Sequence, residues 1–450
     1  MSAITDFAAF LAAPRQTAEA ARKAVRLHVV DTVGALVAGT HTAEGRMLLR
    51  VRARAAGDVS TDVMTLCALT RMTEIDDIHL ASMTTPGSIV IPGALAIAAA
   101  QPRQDPEALA EAIAAGYEAM IRLGLALDGP AILYRGIWPT YFAAPFGIAA
   151  VASRLLGLDA VQTGHALALA LTYAAPGVGH HNAPTTARWI SAGQAARNGL
   201  AAAQAAQAGF TADVALLDGG FFPGVYNITP TIAAFTDGLG ERDVIAELSF
   251  KPWCAARQTM AATQALKEII AEGVASAGIV AVNASVVPPH RRMIDHGVTP
   301  GDRASYLTSV QYNMAAAALA PGLADALSPS PDDVPEAVHS MMGKITVEPD
   351  DALLADYPRV WPAHVSVTTA SGMHERRVTA VPGDPARPFS ADDVAAKFRR
   401  FVAPVLGTDG ADALLRSASG IGSGDQTPAT LLSELDRVAL TPSAVATPPR

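Results

Sequence analysis

The chain has 450 residues, half of them hydrophobic, with only 17% charged against a usual share of about 25%. A charged fraction that low asks for a large buried core, an oligomer interface, or both. The net charge of -9 and the lack of any long Lys/Arg run exclude nucleic acid and anionic membrane surfaces, which need clustered positive charge, and leave a small molecule as the expected partner.

The opening stretch "MSAITDFAAFLAAPRQ" carries Asp6 where a signal peptide carries basic residues, so a cytoplasmic protein is expected. The longest apolar stretches, such as 166–179, fall short of the ~18 residues of a membrane span and contain Gly and Pro. Two cysteines, Cys67 and Cys254, supply neither a disulfide framework nor the thiolates of an iron–sulfur cluster.

From residue 17 to about 245 nearly every segment reads as helix. "RLHVVDTVGALVAG" places Leu27, Val30, Val33, Leu36 and Val37 at helical spacing, with Gly39 as the expected C-cap. The stretch "TEIDDIHLASMTTPGSIVIPGALAIAAA" sets Asp76, Asp77 and His79 ahead of a smooth apolar helix opened by Pro86 and Gly87. "DPEALAEAIAAGYEAMIRLGLAL" starts with Asp105 as N-cap and Pro106 at the first helical position. "SAGQAARNGLAAAQAAQAGF" is expected to start at a Ser191 cap, and its small residues predict close helix packing.

The pattern changes near residue 278. "IVAVNASVVP" and "GKITVEPD" read as strands, and "HVSVTTASGMHERRVTAVPGD" as a hairpin around Ser371 and Gly372. Ser390 then caps a further helix with Asp392 and Asp393 in its first turn. The expected architecture is mainly α with an inserted α+β lid domain: 1–249 helical, 250–385 the α/β lid, 386–450 a helical return that ends in a loose tail.

Nucleotide and metal sites find no support in the motifs. No G-x-x-x-x-G-K-[ST] occurs, "GIGSGD" at 420–425 has no strand before it, and HExxH, CxxC and G-x-S-x-G are absent. The adjacent His180 and His181 would point about 100° apart on a helix. Chemistry carried by side chains alone is expected, with no metal and no cofactor.

Four stretches offer such side chains. In "EIDDIH", neighbouring carboxylates and a histidine suit proton transfer near neutrality; the competing structural reading is a helix start favoured by the helix dipole. Backbone N–H groups after Thr85, at Gly87 and Ser88, would be free to hold an anion. "KPWCAARQT" places Lys251 and Arg257 where the helical part gives way to the α/β insert, a favoured place for a cleft, although a solvated surface pair is the plain alternative. Tyr312 in "SVQYNMA" and Arg188 in "HHNAPTTARWISAG" complete the set, against a core tyrosine and an exposed ion pair.

Taken in order, "VVDTVGALVAG", "IDDIH", "TPGSIVIPGALAIA", "GYEAMIRLGLAL", "SAGQAARNGLAAAQAAQAGFT", "KPWCAARQT", "GDRASYLTSVQYNMA" and "AAKFRRF" resemble the MmgE/PrpD family, which includes 2-methylcitrate dehydratase, cis-aconitate decarboxylase and iminodisuccinate epimerase. The resemblance implies a helical domain built from both chain ends, an α/β lid, a homodimer, and no metal or organic cofactor. It implies catalytic roles for Asp76, Asp77, Lys251 and Tyr312, and a substrate contact at Arg257. Three positions depart from the family pattern: "HPGS" reads "TPGS" with Thr85, "FHPT" reads "IWPT" with Trp138, and "TKRLH" reads "ARWIS" with Arg188.

Abstracting a proton beside a carboxylate creates a dianion, which Lys251, Arg257, Arg188 and the N–H groups after Thr85 are expected to hold. His79 is the expected base, with the Asp76/Asp77 pair, Tyr312, His180 and His290 as other candidates. Thr85, Gly87, Ser88, Trp138, His180, Arg188 and Arg257 are the expected substrate contacts. The implied activity is a 2-methylcitrate dehydratase-like lyase on a small di- or tricarboxylate; the alternatives are an epimerase, isomerase or decarboxylase of the same family, or a non-catalytic carboxylate-binding paralogue.

Overall fold

A computed structural model describes residues 2–14, 18–103, 105–175, 185–241, 243–327 and 333–440. His180 and the expected tail at 441–450 lie outside the described residues. The chain divides into two units: one runs to Met72, from Asp76 to Leu248 and again from Ser390 on; the other joins Thr73–Ile75 to Ser249–Phe389.

The first unit begins with α1 (Ala3–Ala12), α2 (Glu19–Thr40), α3 (Ala43–Ala53), α4 (Val59–Arg71), α5 (Gly87–Ala99) and α6 (Pro106–Ala126). It continues with α7 (Gly129–Leu133), α8 (Pro139–Leu155), α9 (Ala160–Thr172), α10 (Ala187–Gln207), α11 (Phe221–Tyr226) and α12 (Ile232–Thr236). Helix α5 is apolar on every side, and every residue from Gly87 to Ala98 is buried, which makes it a central helix of this unit. Asp105 caps α6 as expected, accepting from the Glu107 N–H at 2.9 Å, with Pro106 next.

Two expected helix ends are corrected. Helix α2 continues through Gly39 to Thr40, because that glycine serves close packing and not a left-handed cap: a Cβ there would stand 2.0 Å from the Leu69 carbonyl oxygen. Helix α10 starts at Ala187, four residues before Ser191, whose hydroxyl instead donates to the Ala187 carbonyl within the helix.

The second unit contains α13 (Arg257–Ala271), β1 (Ile279–Val286), α14 (Pro288–Ile294), α15 (Arg303–Thr308), α16 (Val310–Leu319), α17 (Glu336–Met342), β2 (Ile345–Pro349), β3 (Ala363–Thr369) and β4 (Gly372–Val378). The sheet order is β2-β1-β3-β4, with β1 and β2 parallel and the other pairs antiparallel. The expected hairpin is present, with Thr369 opposite Gly372. Val282, Ala284, Val365 and Val367 of the sheet share one core with Met260, Ala265 and Leu266 of α13. The fold is thus mainly α with a small α/β part.

The chain then returns to the first unit as α18 (Ala391–Ser423), broken at Gly407, and α19 (Pro428–Leu435). A capping box between Ser390 and Asp393 opens α18. Its Lys397 meets Asp31 of α2 at 2.6 Å, both buried. Burial pushes the Asp31 carboxyl above its usual range, and the lysine opposes that rise.

Candidate active site

In the first unit the acidic stretch is neither a helix start nor a carboxylate pair. Asp76 turns to Arg71, whose Nη1 lies 3.0 Å away. Asp77 turns elsewhere: it accepts the Gly87 N–H at 2.8 Å and the Tyr117 hydroxyl at 2.7 Å, and it lies 2.8 Å from His28 Nδ1. Asp77 therefore caps α5 from ten residues upstream, which corrects the expectation that the Gly87 N–H is free for an anion. The position requires glycine, since a Cβ would fall 2.5 Å from Asp77 Oδ2. Burial, then the Asp77 charge, hold the Tyr117 hydroxyl well above the usual phenol range, so it stays a donor.

His79 is buried, with Nδ1 enclosed by Ser82: the hydroxyl oxygen is at 2.9 Å and the backbone N–H donates at 3.2 Å. Since Nδ1 accepts the Ser82 N–H, Nε2 carries the ring proton and points it at Glu247 Oε2, 3.4 Å away. Glu247 was not foreseen, since it stands 168 residues away.

Thr85, Trp138 and Arg188 fall beside one another's neighbours. The Thr85 N–H donates to Thr140 Oγ1 at 3.0 Å, the two hydroxyls lie 3.1 Å apart, and Ser88 Oγ donates to the Thr85 carbonyl at 2.9 Å. The Arg188 guanidinium carbon lies 4.7 Å from the Trp138 ring centre and 4.9 Å from that of Trp189. Tyr141 stacks on Trp138 at 5.7 Å. Tyr141 and Trp189 were missed, although the first follows Trp138 by one helical turn and the second adjoins Arg188.

In the second unit, Lys251 Nζ pairs with Glu74 Oε2 at 2.8 Å. Arg257 Nη2 pairs with Asp384 Oδ2 at 2.6 Å. All four are buried, which rules out a solvated surface pair. Glu74 stood in the quoted acidic stretch, but nothing there marked it above Asp76 and Asp77. The Arg257 Nε and Nη1 and the Tyr312 hydroxyl, also buried, have no hydrogen-bond partner among the described residues. Burial chiefly, then Tyr306 and Cys254, push the Tyr312 hydroxyl above the usual phenol range, so it too remains a donor. His290 packs 4.7 Å from the Trp361 ring; burial and then the Arg257 charge lower it to about 3, so it is neutral at physiological pH.

These buried cations and donors stand in a mainly helical fold with a small mixed four-stranded sheet. The MmgE/PrpD N-terminal domain matches residues 2–231 and the MmgE/PrpD C-terminal domain matches residues 253–419, so the chain belongs to the MmgE/PrpD family. No curated protein matches it. Members of this family are generally enzymes, hydro-lyases and related. Among the described residues, no helix is long and apolar enough to cross a membrane.

Proposed function

We propose that the chain is a cofactor-independent lyase acting on a small di- or tricarboxylate, most like a 2-methylcitrate dehydratase. His79 and Glu247 share the proton transfer: the Ser82 N–H makes His79 Nδ1 an acceptor, so Nε2 carries a proton toward Glu247, and the Glu247 carboxylate takes the α-proton. The electron pair of the broken C–H bond becomes the new double bond as the β-hydroxyl departs with the proton of His79 Nε2–H, leaving as water, and the proton taken by Glu247 then returns to Nε2. In the second unit, the Arg257 guanidinium and the Tyr312 hydroxyl are donors suited to a developing oxyanion, and Lys251 is held in place by Glu74. Thr85 and Ser88 position, and Arg188 grips, the rest of the substrate, while Asp77 caps α5 at Gly87 and Asp76 holds Arg71.

The supporting observation is the set of buried donors at Arg257 and Tyr312 with no acceptor among the described residues, because donors aimed at a developing oxyanion are what this elimination requires. The test is incubation with a mixture of small carboxylates, read by mass spectrometry, for the native chain, Lys251→Ala and His79→Ala. Loss of one water, slowed roughly 100-fold by H79A, is expected. Solvent deuterium at the α-carbon without loss of water makes the chain an isomerase instead, and loss of carbon dioxide a decarboxylase. Tight binding of citrate-like acids with no conversion identifies a non-catalytic paralogue.

A further inference from the structure

We infer that Gly124 and Gly129 are positioning residues: by leaving room for the Ser82 backbone, they decide which nitrogen of His79 carries the proton. The inference rests on the reading of His79 as a proton donor, and every residue it uses lies in the first unit.

A neutral imidazole has one protonated nitrogen and one acceptor, and the partner that either nitrogen meets settles which is which. Two groups of Ser82 meet His79 Nδ1. The hydroxyl, 2.9 Å away, can turn to donate or to accept, and it has Thr84 Oγ1 at 2.7 Å as a second partner, so it settles nothing by itself. The backbone N–H, at 3.2 Å, can only donate. It therefore makes Nδ1 the acceptor for as long as residue 82 keeps its place.

A tight turn keeps it there. The His79 N–H donates to the Thr84 carbonyl at 2.8 Å, and the Met83 N–H to that of Leu80 at 3.2 Å. Met83 is buried with a φ of 58°, left-handed backbone that a side chain rarely adopts and that persists only where the surroundings hold it. Those surroundings include the end of α6 and the start of α7. A Cβ on Gly124 would stand 2.8 Å from both the Cβ and the carbonyl oxygen of Ser82, and one on Gly129 would stand 2.0 Å from that oxygen. Neither glycine has a positive φ, and a glycine inside α6 costs helix stability relative to alanine, so what each supplies is space for residue 82. A methyl added at either position pushes the Ser82 N–H away from Nδ1. The hydroxyl that remains accepts as readily as it donates, and the ring becomes a mixture of tautomers.

The test uses the full ligand-free chain made with isotope-labelled histidine, its ring nitrogens read by NMR at alkaline pH, and a His79→Gln spectrum to assign the signal. The native chain is expected to show the proton on Nε2 and a bare Nδ1. Ser82→Ala removes the hydroxyl but keeps the backbone N–H, and is expected to keep that pattern. Gly124→Ala and Gly129→Ala are expected to lose it while near-ultraviolet circular dichroism stays native; Gly124→Ala, the milder change, and Ser82→Ala carry the test should Gly129→Ala not fold. With a carboxylate that the native chain converts, G124A is expected to lower kcat roughly 10-fold or more and to change KM less. A native His79 protonated on Nδ1, folded glycine variants that keep the native tautomer, or a Ser82→Ala variant that loses it each overturns the inference. The expected tautomers with no conversion of any carboxylate leave the inference standing and defeat the lyase; conversion at a rate that G124A leaves untouched, despite an altered tautomer, does the reverse.

Discussion

At the scale of the residue, His290 ties the second unit to pH. Its ring is buried between Tyr357 at 5.4 Å and Trp361 at 4.7 Å. Burial first, and the charge of Arg257 second, lower it from an ordinary value near 6.5 to about 3. The folded value is depressed, so its contribution to stability is fully present above pH 6.5. As pH falls, the unfolded chain takes up a proton that the folded chain refuses, and stability declines down to about pH 3 with a slope approaching ~1.4 kcal/mol per pH unit from this group. Urea unfolding at pH 7, 6, 5 and 4 is expected to show a shallower decline for His290→Gln than for the native chain, whatever the variant's absolute stability; parallel declines would refute the assignment. Sequence alone named His290 only as a minor base candidate, because its environment comes from Tyr357 and Trp361, more than sixty residues on. The same limit applies to Asp76 and Asp77: adjacency suggested a shared proton, and the fold sends the two side chains to separate partners.

At the scale of the element, what could be read locally was read well. The caps at Asp105 and Ser390 and the β3–β4 hairpin depend on residues a few positions apart, so their signals lie in the sequence itself. Gly39 and Ser191 misled for the opposite reason: a glycine required by the Leu69 carbonyl looks like a cap, and a helix that starts uncapped at Ala187 offers no start signal. The joining of α2 to α18 had no local signal at all, since Asp31 and Lys397 meet only in the folded chain. Removing one partner of a buried pair leaves an uncompensated charge, so Lys397→Met is expected to cost about 3–5 kcal/mol in chemical unfolding. Adding Asp31→Leu to it should recover most of that loss, since an apolar pair of similar volume needs no counter-charge. A double variant as unstable as K397M would show that the two groups act through other partners.

At the scale of the whole molecule, the order of motifs along the chain was enough to place it in its family, whereas the assembly of the first unit from separate segments decides how the chain can be cut. Helix α18 lays Phe398 against Gly34 of α2, where an added Cβ would stand 3.0 Å from the ring, and sets Lys397 on Asp31. Val30, Val33 and Val37 of α2 are buried as well. A chain ending at Phe389 strips that cover and leaves an apolar helix carrying a carboxylate with no lysine, a burden that a marginally stable fold does not bear. It is expected to aggregate or to unfold without a cooperative transition. The segment Ser249–Phe389 stands differently: roughly 140 residues suffice for a domain core, and Trp253, Met260, Leu266, Val282, Val365 and Val381 belong to one buried cluster drawn from that segment. Expressed alone, it is expected to melt cooperatively and to keep its near-ultraviolet circular dichroism, although without Glu74 it loses the partner of Lys251. A cooperative melt from the chain cut at Phe389, or a formless 249–389 fragment, would mean that folding is governed by contacts other than the α2–α18 seam and the cluster on the sheet.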